Sequence, residues 1–528
     1  MNDEIRYLLG RAARGKLARR TFLGRAAALG VTGAMANSLL ASAVHAAGPQ
    51  RGGHLVIGLQ GGESTNSLDP ALAASQVPFT YLRTTGDTLV NISPSGEIVP
   101  RLAEEVSATD DAKTWFFKIR SGVEFHNGQT MTAEDVAQTL RRHSDADSQS
   151  GALGIMRGIA DIRVDGDVVV LETNTPNADL PYLLADYHLV IQPNGGFDDP
   201  TAGIFTGPYK WAENEPGVRH VMEKFANHWD DSVGHFNSVE VLVINDATAR
   251  NSALQSGQVQ MINRVEPRVA GLLARAPGVS VQSTAGRGHY VFIMHCNTAP
   301  FDNNDLRLAL KYAIDREDML DKILRGYGSL GNDMPINAAY PLFDESIPQR
   351  TYDPDLARHH FERSGHDGPV ILRTSEVAFP GAVDAAQLFQ ESAARAGIQI
   401  EIIREPGDGY WGEVWNVQPF SASYWGGRPV QDQMYSTAYY SGADWNDTRF
   451  FNDHFDSLLM QARGELDLDN RKALYSEMGT IVRDEGGLIC PMFNDFIDAH
   501  NAQVAGWEGN PNGEMMNGFA AALCWQTA

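Results

Sequence analysis

Segment 113–136, KTWFFKIRSGVEFHNGQTMTAEDV, restricts the fold of this chain more than any other stretch. Trp115, Phe117 and Ile119 alternate with Phe116, Lys118 and Arg120, the period of a strand with one buried face. Gly122 and Asn127-Gly128 supply turn residues that tolerate positive φ. Thr132, three residues before Asp135, forms a capping box with Asp in place of Glu and opens a helix through Val136 and Leu140. The same alternation recurs along the chain. Strands are expected at 54–59, on either side of Asp165-Gly166, and at 239–244, 290–297, 370–373, 399–403 and 420–424. Helices are expected around 249–254, 305–324, 384–396 and 467–482. This pattern predicts an α/β fold with largely parallel or mixed sheets.

Residues 1–46 read as an export leader. Arg19-Arg20-Thr21-Phe22-Leu23 is the pattern of a twin-arginine signal, which implies the Tat export machinery and a periplasmic destination. The apolar region 26–40 is diluted by Gly30, Thr32 and Gly33 and is shorter than the ~20 residues of a membrane-spanning helix. Small residues Val44 and Ala46 place cleavage near Ala46-Ala47. The chain beyond residue 46 has 35 basic and 64 acidic side chains, net −29. That surface repels nucleic acid and anionic membrane. It does not set the sign of a small ligand, because one arginine in a cleft inverts the local potential. About 480 residues exceed what one hydrophobic core serves, so at least two lobes are expected. Cys296, Cys490 and Cys524 are widely spaced, without CxxC, zinc or iron–sulfur spacing. Cys296 follows the apolar run Val291-Phe292-Ile293-Met294 and reads as a buried strand residue, and no disulfide is expected.

Several segments in fixed order carry a resemblance. They are the Trp115 segment, Gly207-Pro208-Tyr209 followed by Asn227-His228-Trp229, and Leu254 to Val259. Asn297-Thr298-Ala299-Pro300-Phe301-Asp302 with Arg307 and Ala313-Ile314-Asp315-Arg316 comes next, and then Tyr352-Asp353-Pro354. Together they resemble the peptide/nickel-type, family 5 extracellular solute-binding proteins of ABC importers. The resemblance implies a two-lobed periplasmic binding protein fold, type II and cluster C-like, with an inserted subdomain and a hinged cleft. It divides the chain into the leader 1–46, lobe I at 47–85, the inserted subdomain at 86–195, lobe I again at 196–286, lobe II at 287–500 and a last lobe I piece at 501–528. Crossings near 286–297 and 494–504 would be the hinges.

Enzyme signatures are poor: GxSxG, HExxH, GxxxxGK[ST] and a helix-opening GxGxxG are all missing, and no cofactor is implied. His359-His360, the adjacent histidine pair, reads as solvated helix surface. The favoured site is Tyr424-Trp425-Gly426-Gly427-Arg428. Members of the resembled family read Trp-x-x-Asp here, with the aspartate holding a ligand ammonium group. This chain keeps Trp425 as an aromatic wall and puts Arg428 where the acid would stand. Arginine offers a planar fork to carboxylate or phosphate and stays charged in a closed cleft. Arg428 is thus either a ligand clamp or half of a structural ion pair with Asp432 or Glu413. Gly426 and Gly427 would let the backbone approach a ligand. Trp411 and Trp415 are further aromatic candidates. Glu63 and Ser64 follow the first strand's carboxyl end, and Arg287 lies near the crossing.

These features predict a monomeric, non-enzymatic binding protein that captures a peptide, or a peptide-like or anionic polar solute, and hands it to ABC permease subunits, with no nucleic-acid partner. An exported hydrolase or cofactor enzyme, and a binding protein that serves a sensor, are the alternatives.

Overall fold

The computed structural model describes residues 5, 8–9, 19–29, 31 and 48–527, apart from 74, 146–147, 377, 407–409 and 444. The expected cleavage point at Ala46-Ala47 lies outside the described residues. Arg19–Ala28 is a ten-residue helix. No helix among the described residues is long and apolar enough to cross a membrane.

The fold is a mixed α/β arrangement built on one 11-stranded sheet. Its path runs Ile400–Arg404, Val370–Thr374, Phe420–Trp425, Val279–Met294, Leu488–Asn501, Met261–Ile262, His54–Leu59, Ser238–Val243, Arg219–Lys224 and Tyr209–Glu215. Gly328–Leu330 pairs off this path with Leu488–Asn501. The first two pairs of strands and His54–Leu59 with Ser238–Val243 are parallel, and the central pair is antiparallel. Leu55, Ile57, Val239 and Val241 bury one core, and Phe292, Leu306, Leu310, Leu372 and Phe389 bury another farther along the same sheet.

A separate four-stranded antiparallel sheet has the order Ala103–Ala108, Thr114–Ile119, Val168–Thr173, Ile159–Asp165. Trp115, Phe117 and Ile119 are buried and face the helix Ala133–Ser144 through Val136 and Leu140. That helix begins with the expected capping box: Asp135 N–H donates to Thr132 Oγ1 at 3.2 Å and Thr132 N–H donates to Asp135 Oδ2 at 2.8 Å. Gly122 and Gly128 take φ of 75° and 83°.

Two expectations are corrected. The single helix expected over 305–324 is two, Asn304–Ala313 and Arg316–Leu324. Asp315 breaks it by capping the second helix, its carboxylate accepting from Asp318 N–H. The strand expected at 290–297 spans Val279–Met294, so Cys296 lies past its end and is only half-buried. Cys490 and Cys524 are buried free thiols.

Candidate functional site

The site grows from an irregularity in the central strand pair. Val279–Met294 and Leu488–Asn501 pair in register up to Ala285 and resume at His289, with one shift between those residues and a second between Tyr290 and Phe292. A Cβ on Gly286 would lie 2.6 Å from Asn494 O, and one on Gly288 2.8 Å from Asn494 Oδ1. At Gly286 only glycine lets the two backbones approach, at Gly288 the neighbour is the Asn494 side chain, and Arg287 lies between them within the register shift. Phe420–Trp425 runs antiparallel on the other side and sets Trp425 opposite His289. The chain leaves the sheet at Gly426-Gly427, which brings Arg428 back over Arg287. A Cβ on Gly427 would sit 2.4 Å from Arg287 Cβ, so this glycine serves the approach of two protein segments. Gly426 is exposed.

Arg287 is 4% exposed. Its Nε donates to Ala339 O at 2.9 Å, its Nη1 to Arg428 O at 3.4 Å, and its guanidinium lies 5.0 Å from the Tyr340 ring centre. Arg287 Nη2 is buried without a hydrogen-bond partner. Burial pulls its pKa down to about 10, opposed by Tyr340 and Tyr182. Arg428 N–H donates to Tyr340 Oη at 3.1 Å, and its Nη1 donates to the carbonyls of Gly426 and Gly427 at 3.0 and 3.3 Å. Desolvation also lowers the Arg428 pKa. The ion pair weighed for Arg428 does not form: Asp432 instead accepts from Arg463 Nε at 2.7 Å. No carboxylate among the described residues pairs with Arg428 or Arg287.

Trp425 is buried and closes one side of an indole cluster. Trp415, Trp425 and Trp445 have ring centres 6.1–6.4 Å apart. The indole N–H groups of Trp415 and Trp425 donate to Asp447 Oδ2 at 2.9 and 3.1 Å. Burial pushes the Asp447 pKa up to about 7 against the effect of those two donors. Trp445 stays 52% exposed. Tyr424 points to the other face and is 51% exposed. Trp411 sits in the short helix Tyr410–Glu413, and its side chain lies outside the described residues.

Glu63 and Ser64 are exposed and their hydrogen bonds are local, Glu63 N–H donating to Asn66 Oδ1 at 2.7 Å and Thr65 Oγ1 to Glu63 at 3.4 Å, while their backbone packs against Gly217. The structure thus gathers Arg287, Trp425, Gly426, Gly427 and Arg428 and keeps Glu63 and Ser64 in a loop of their own. Three participants escaped the sequence reading: Tyr340, Asp447 and Tyr182. Asp447 follows Trp445-Asn446, and an acid so close to a tryptophan was the one available signal.

A second contact joins distant parts of the chain near this site. Asp179 is buried, receiving Arg471 Nη1 at 3.0 Å and Tyr475 Oη at 3.1 Å. Ala178 N–H donates to Arg463 O at 2.7 Å. The turn that holds Asp179 continues into Leu180–Leu183, which carries Tyr182. Arg287 acts electrostatically on that tyrosine.

Two bodies of α/β structure on a shared sheet, crossed by two long strands with side chains converging where they cross, define a two-lobed binding protein. Residues 97–447 match the model of the bacterial extracellular solute-binding proteins, family 5, and the chain belongs to that family. It is a solute-binding protein of the kind that serves ABC importers. The glutathione-binding protein GsiB of Salmonella typhi is 24% identical over 466 residues, 84% of this chain and 90% of that protein. Two solved structures share the fold. The periplasmic binding protein DppA of Helicobacter pylori, in complex with the peptide STSA, is 21% identical, with a TM-score of 0.71 over 91% of this chain and 99% of its own. AgaA of A. tumefaciens R10, in complex with agropinic acid, is 23% identical, with a TM-score of 0.70 over 90% and 99%.

Proposed function

We propose that this protein captures a small, peptide-like polar solute bearing a carboxylate and delivers it to ABC permease subunits, without chemistry of its own. The carrying observation is Arg428, a half-buried guanidinium with no carboxylate partner among the described residues, at the place where an ammonium-binding aspartate stands in the resembled pattern. A donor-only cation in place of an acceptor-only anion reverses the charge preference of the site. The relatives' described ligands fit: glutathione, a peptide and agropinic acid all carry carboxylates. Trp425 and Trp415, with Trp445 exposed beside them, would form the aromatic wall. The two lobes would follow the boundaries given above, with Glu63 and Ser64 contributed by lobe I on closure. Arg19-Arg20 supports folded export through the twin-arginine route, with the leader removed near Ala46 and the protein working as a periplasmic monomer.

Native mass spectrometry of the protein purified from its own periplasm identifies the retained solute. A flavin at stoichiometric occupancy would overturn the non-enzymatic reading. With the solute in hand, Arg428→Ala is expected to weaken a carboxylate ligand by about 2–5 kcal/mol in calorimetry. A change of less than about twofold would remove Arg428 from the site.

A further inference from the structure

The loop that joins helix Asp453–Gly464 to helix Leu468–Glu485 runs through Glu465-Leu466-Asp467-Leu468-Asp469, an alternation of acid and leucine. The backbone accounts for its acids: Asp467 caps the second helix, and Glu465 accepts from Asp467 N–H at 2.8 Å. It does not account for the leucines. A leucine just before a cap often packs on the fourth helical residue, but that residue here is Arg471, which turns to Asp179. Leu466 and Leu468 stay 37% and 54% exposed, and Met460 on the first helix is 42% exposed. Beside them the two helices leave an open groove of about 660 Å³, lined in part by Met460, Gly464, Ala473 and Leu474. A groove of about 540 Å³ between helix Ala382–Ala394 and the edge strand Ile400–Arg404 is different. Gln387, Gln390 and Gln399 line it, and none of its apolar residues is exposed.

Charge decides what such a groove accepts. Residues 453–485 carry eight carboxylates and four basic side chains. Three of those four are committed: Arg463 to Asp432, Arg471 to Asp179 and Arg483 to Asp484. Lys472 is left against Glu465, Asp467 and Asp469 at the leucine end of the groove. An acidic rim repels an anionic membrane, and it repels the same face of a second copy. The basic leader is engaged elsewhere, with Phe22 and Ala26 buried in a cluster that includes Ala505. We propose that this groove docks a helical segment of a partner protein, one with an apolar stripe at i, i+3, i+4 and lysine or arginine on its flanks. The stripe packs on Met460, Leu466 and Leu468, and the cations face the acids of the rim. The groove also adjoins the contact between distant parts of the chain. A Cβ on Gly464 would lie 3.3 Å from Pro176, and Arg463 O accepts from Ala178 N–H at 2.7 Å. The partner thus sits beside that junction, whichever solute the protein binds.

The probe is a synthetic helix of about 18 residues, roughly five turns, with leucine at helical spacing on one face and lysine elsewhere. A benzophenone on its apolar face crosslinks it to whatever that face touches. With the full-length protein, the crosslinks found by mass spectrometry are expected within residues 453–477. Fluorescence anisotropy should show binding at least about tenfold tighter than that of a scrambled peptide of the same composition. The double variant Leu466→Ser/Leu468→Ser should weaken binding at least about tenfold with an unchanged melting temperature, since both side chains are exposed. Leu272→Ser, at a leucine more exposed than either but in helix Pro267–Leu273, should leave binding unchanged. Crosslinks absent from 453–477, or equal binding by the scrambled peptide, would overturn the docking site, because a lysine-rich peptide then binds by charge alone. Sedimentation tests the remaining occupant. A wild-type dimer abolished by the double variant would assign the groove to a second copy and overturn the partner.

Discussion

Asp447 is one residue at which acidity should be felt. Its folded pKa of about 7 lies above the ordinary carboxylate value because it is buried, and the Trp415 and Trp425 indoles only partly offset this. An acid whose pKa is raised by folding favours the folded state below its unfolded pKa, and that contribution is lost as pH rises through the folded value. Wild-type stability from this group therefore falls between pH 5 and pH 8. Asp447→Asn keeps an acceptor for the indoles and does not titrate, so its stability relative to wild type should rise by about 2 kcal/mol over that interval in denaturant melts. A gap that does not change with pH would mean that Asp447 is not protonated in the fold. Gly427→Ala belongs to the same scale: its Cβ meets Arg287 at 2.4 Å, and overpacking of this kind costs about 1–3 kcal/mol, read as a lower urea midpoint with unchanged slope. Residue-level legibility was uneven. Arg428 stood out in the sequence because it breaks a local pattern. Tyr340 lies in an irregular stretch with no periodicity, and its link to Arg287, 53 positions away, exists only after folding.

The helix Leu468–Glu485 shows what an element adds to these residues. Asp467 caps it, accepting from Asp469 and Asn470 N–H, and it buries Tyr475, Met478 and Val482. Its first two turns also present Arg471 and Tyr475 to Asp179, nearly 300 positions earlier in sequence. Arg471→Met would leave a buried carboxylate without its cation and should cost about 3–5 kcal/mol. Because burial already raises the Asp179 pKa to about 6, the double variant Asp179→Asn/Arg471→Met should recover much of that loss. A double-mutant cycle with no coupling would show that the two do not act as a pair. Strand–turn–helix segments with clear periodicity, such as Thr114–Ile119 and Ala133–Ser144, were legible because one face is apolar and the other polar. Val279–Met294 was read only in its apolar half, since Ser280, Gln282, Ser283 and Thr284 give its first half the look of a loop. The break at Asp315 was hidden because apolar spacing continues from Ile314 to Met319 across it, and only the cap interrupts the backbone.

At the scale of the whole molecule, the pairing of Val279–Met294 with Leu488–Asn501 is the one place where both proposed lobes share long strands, and its register slips at Gly286–Gly288. A second register shift, between Tyr290 and Phe292, lies among buried side chains, whereas the slip at Gly286–Gly288 has no side chains at its glycines, so the proposed lobe closure should turn there. The Asp179–Arg471–Tyr475 contact also joins segments from the two proposed lobes. A solute can shift the open–closed balance only by its differential affinity for the two forms. Addition of the identified solute should therefore lower the radius of gyration in small-angle scattering and raise the melting temperature. Trp425 is 4% exposed and held by its own lobe, so the optical reporter should be Trp445, 52% exposed at the edge of the indole cluster. Trp445→Phe should abolish most of the solute-dependent change in tryptophan emission while leaving the scattering change intact. If saturating solute alters neither the scattering curve nor the emission of the wild type, the lobes do not close over it, and capture takes place on a preformed surface.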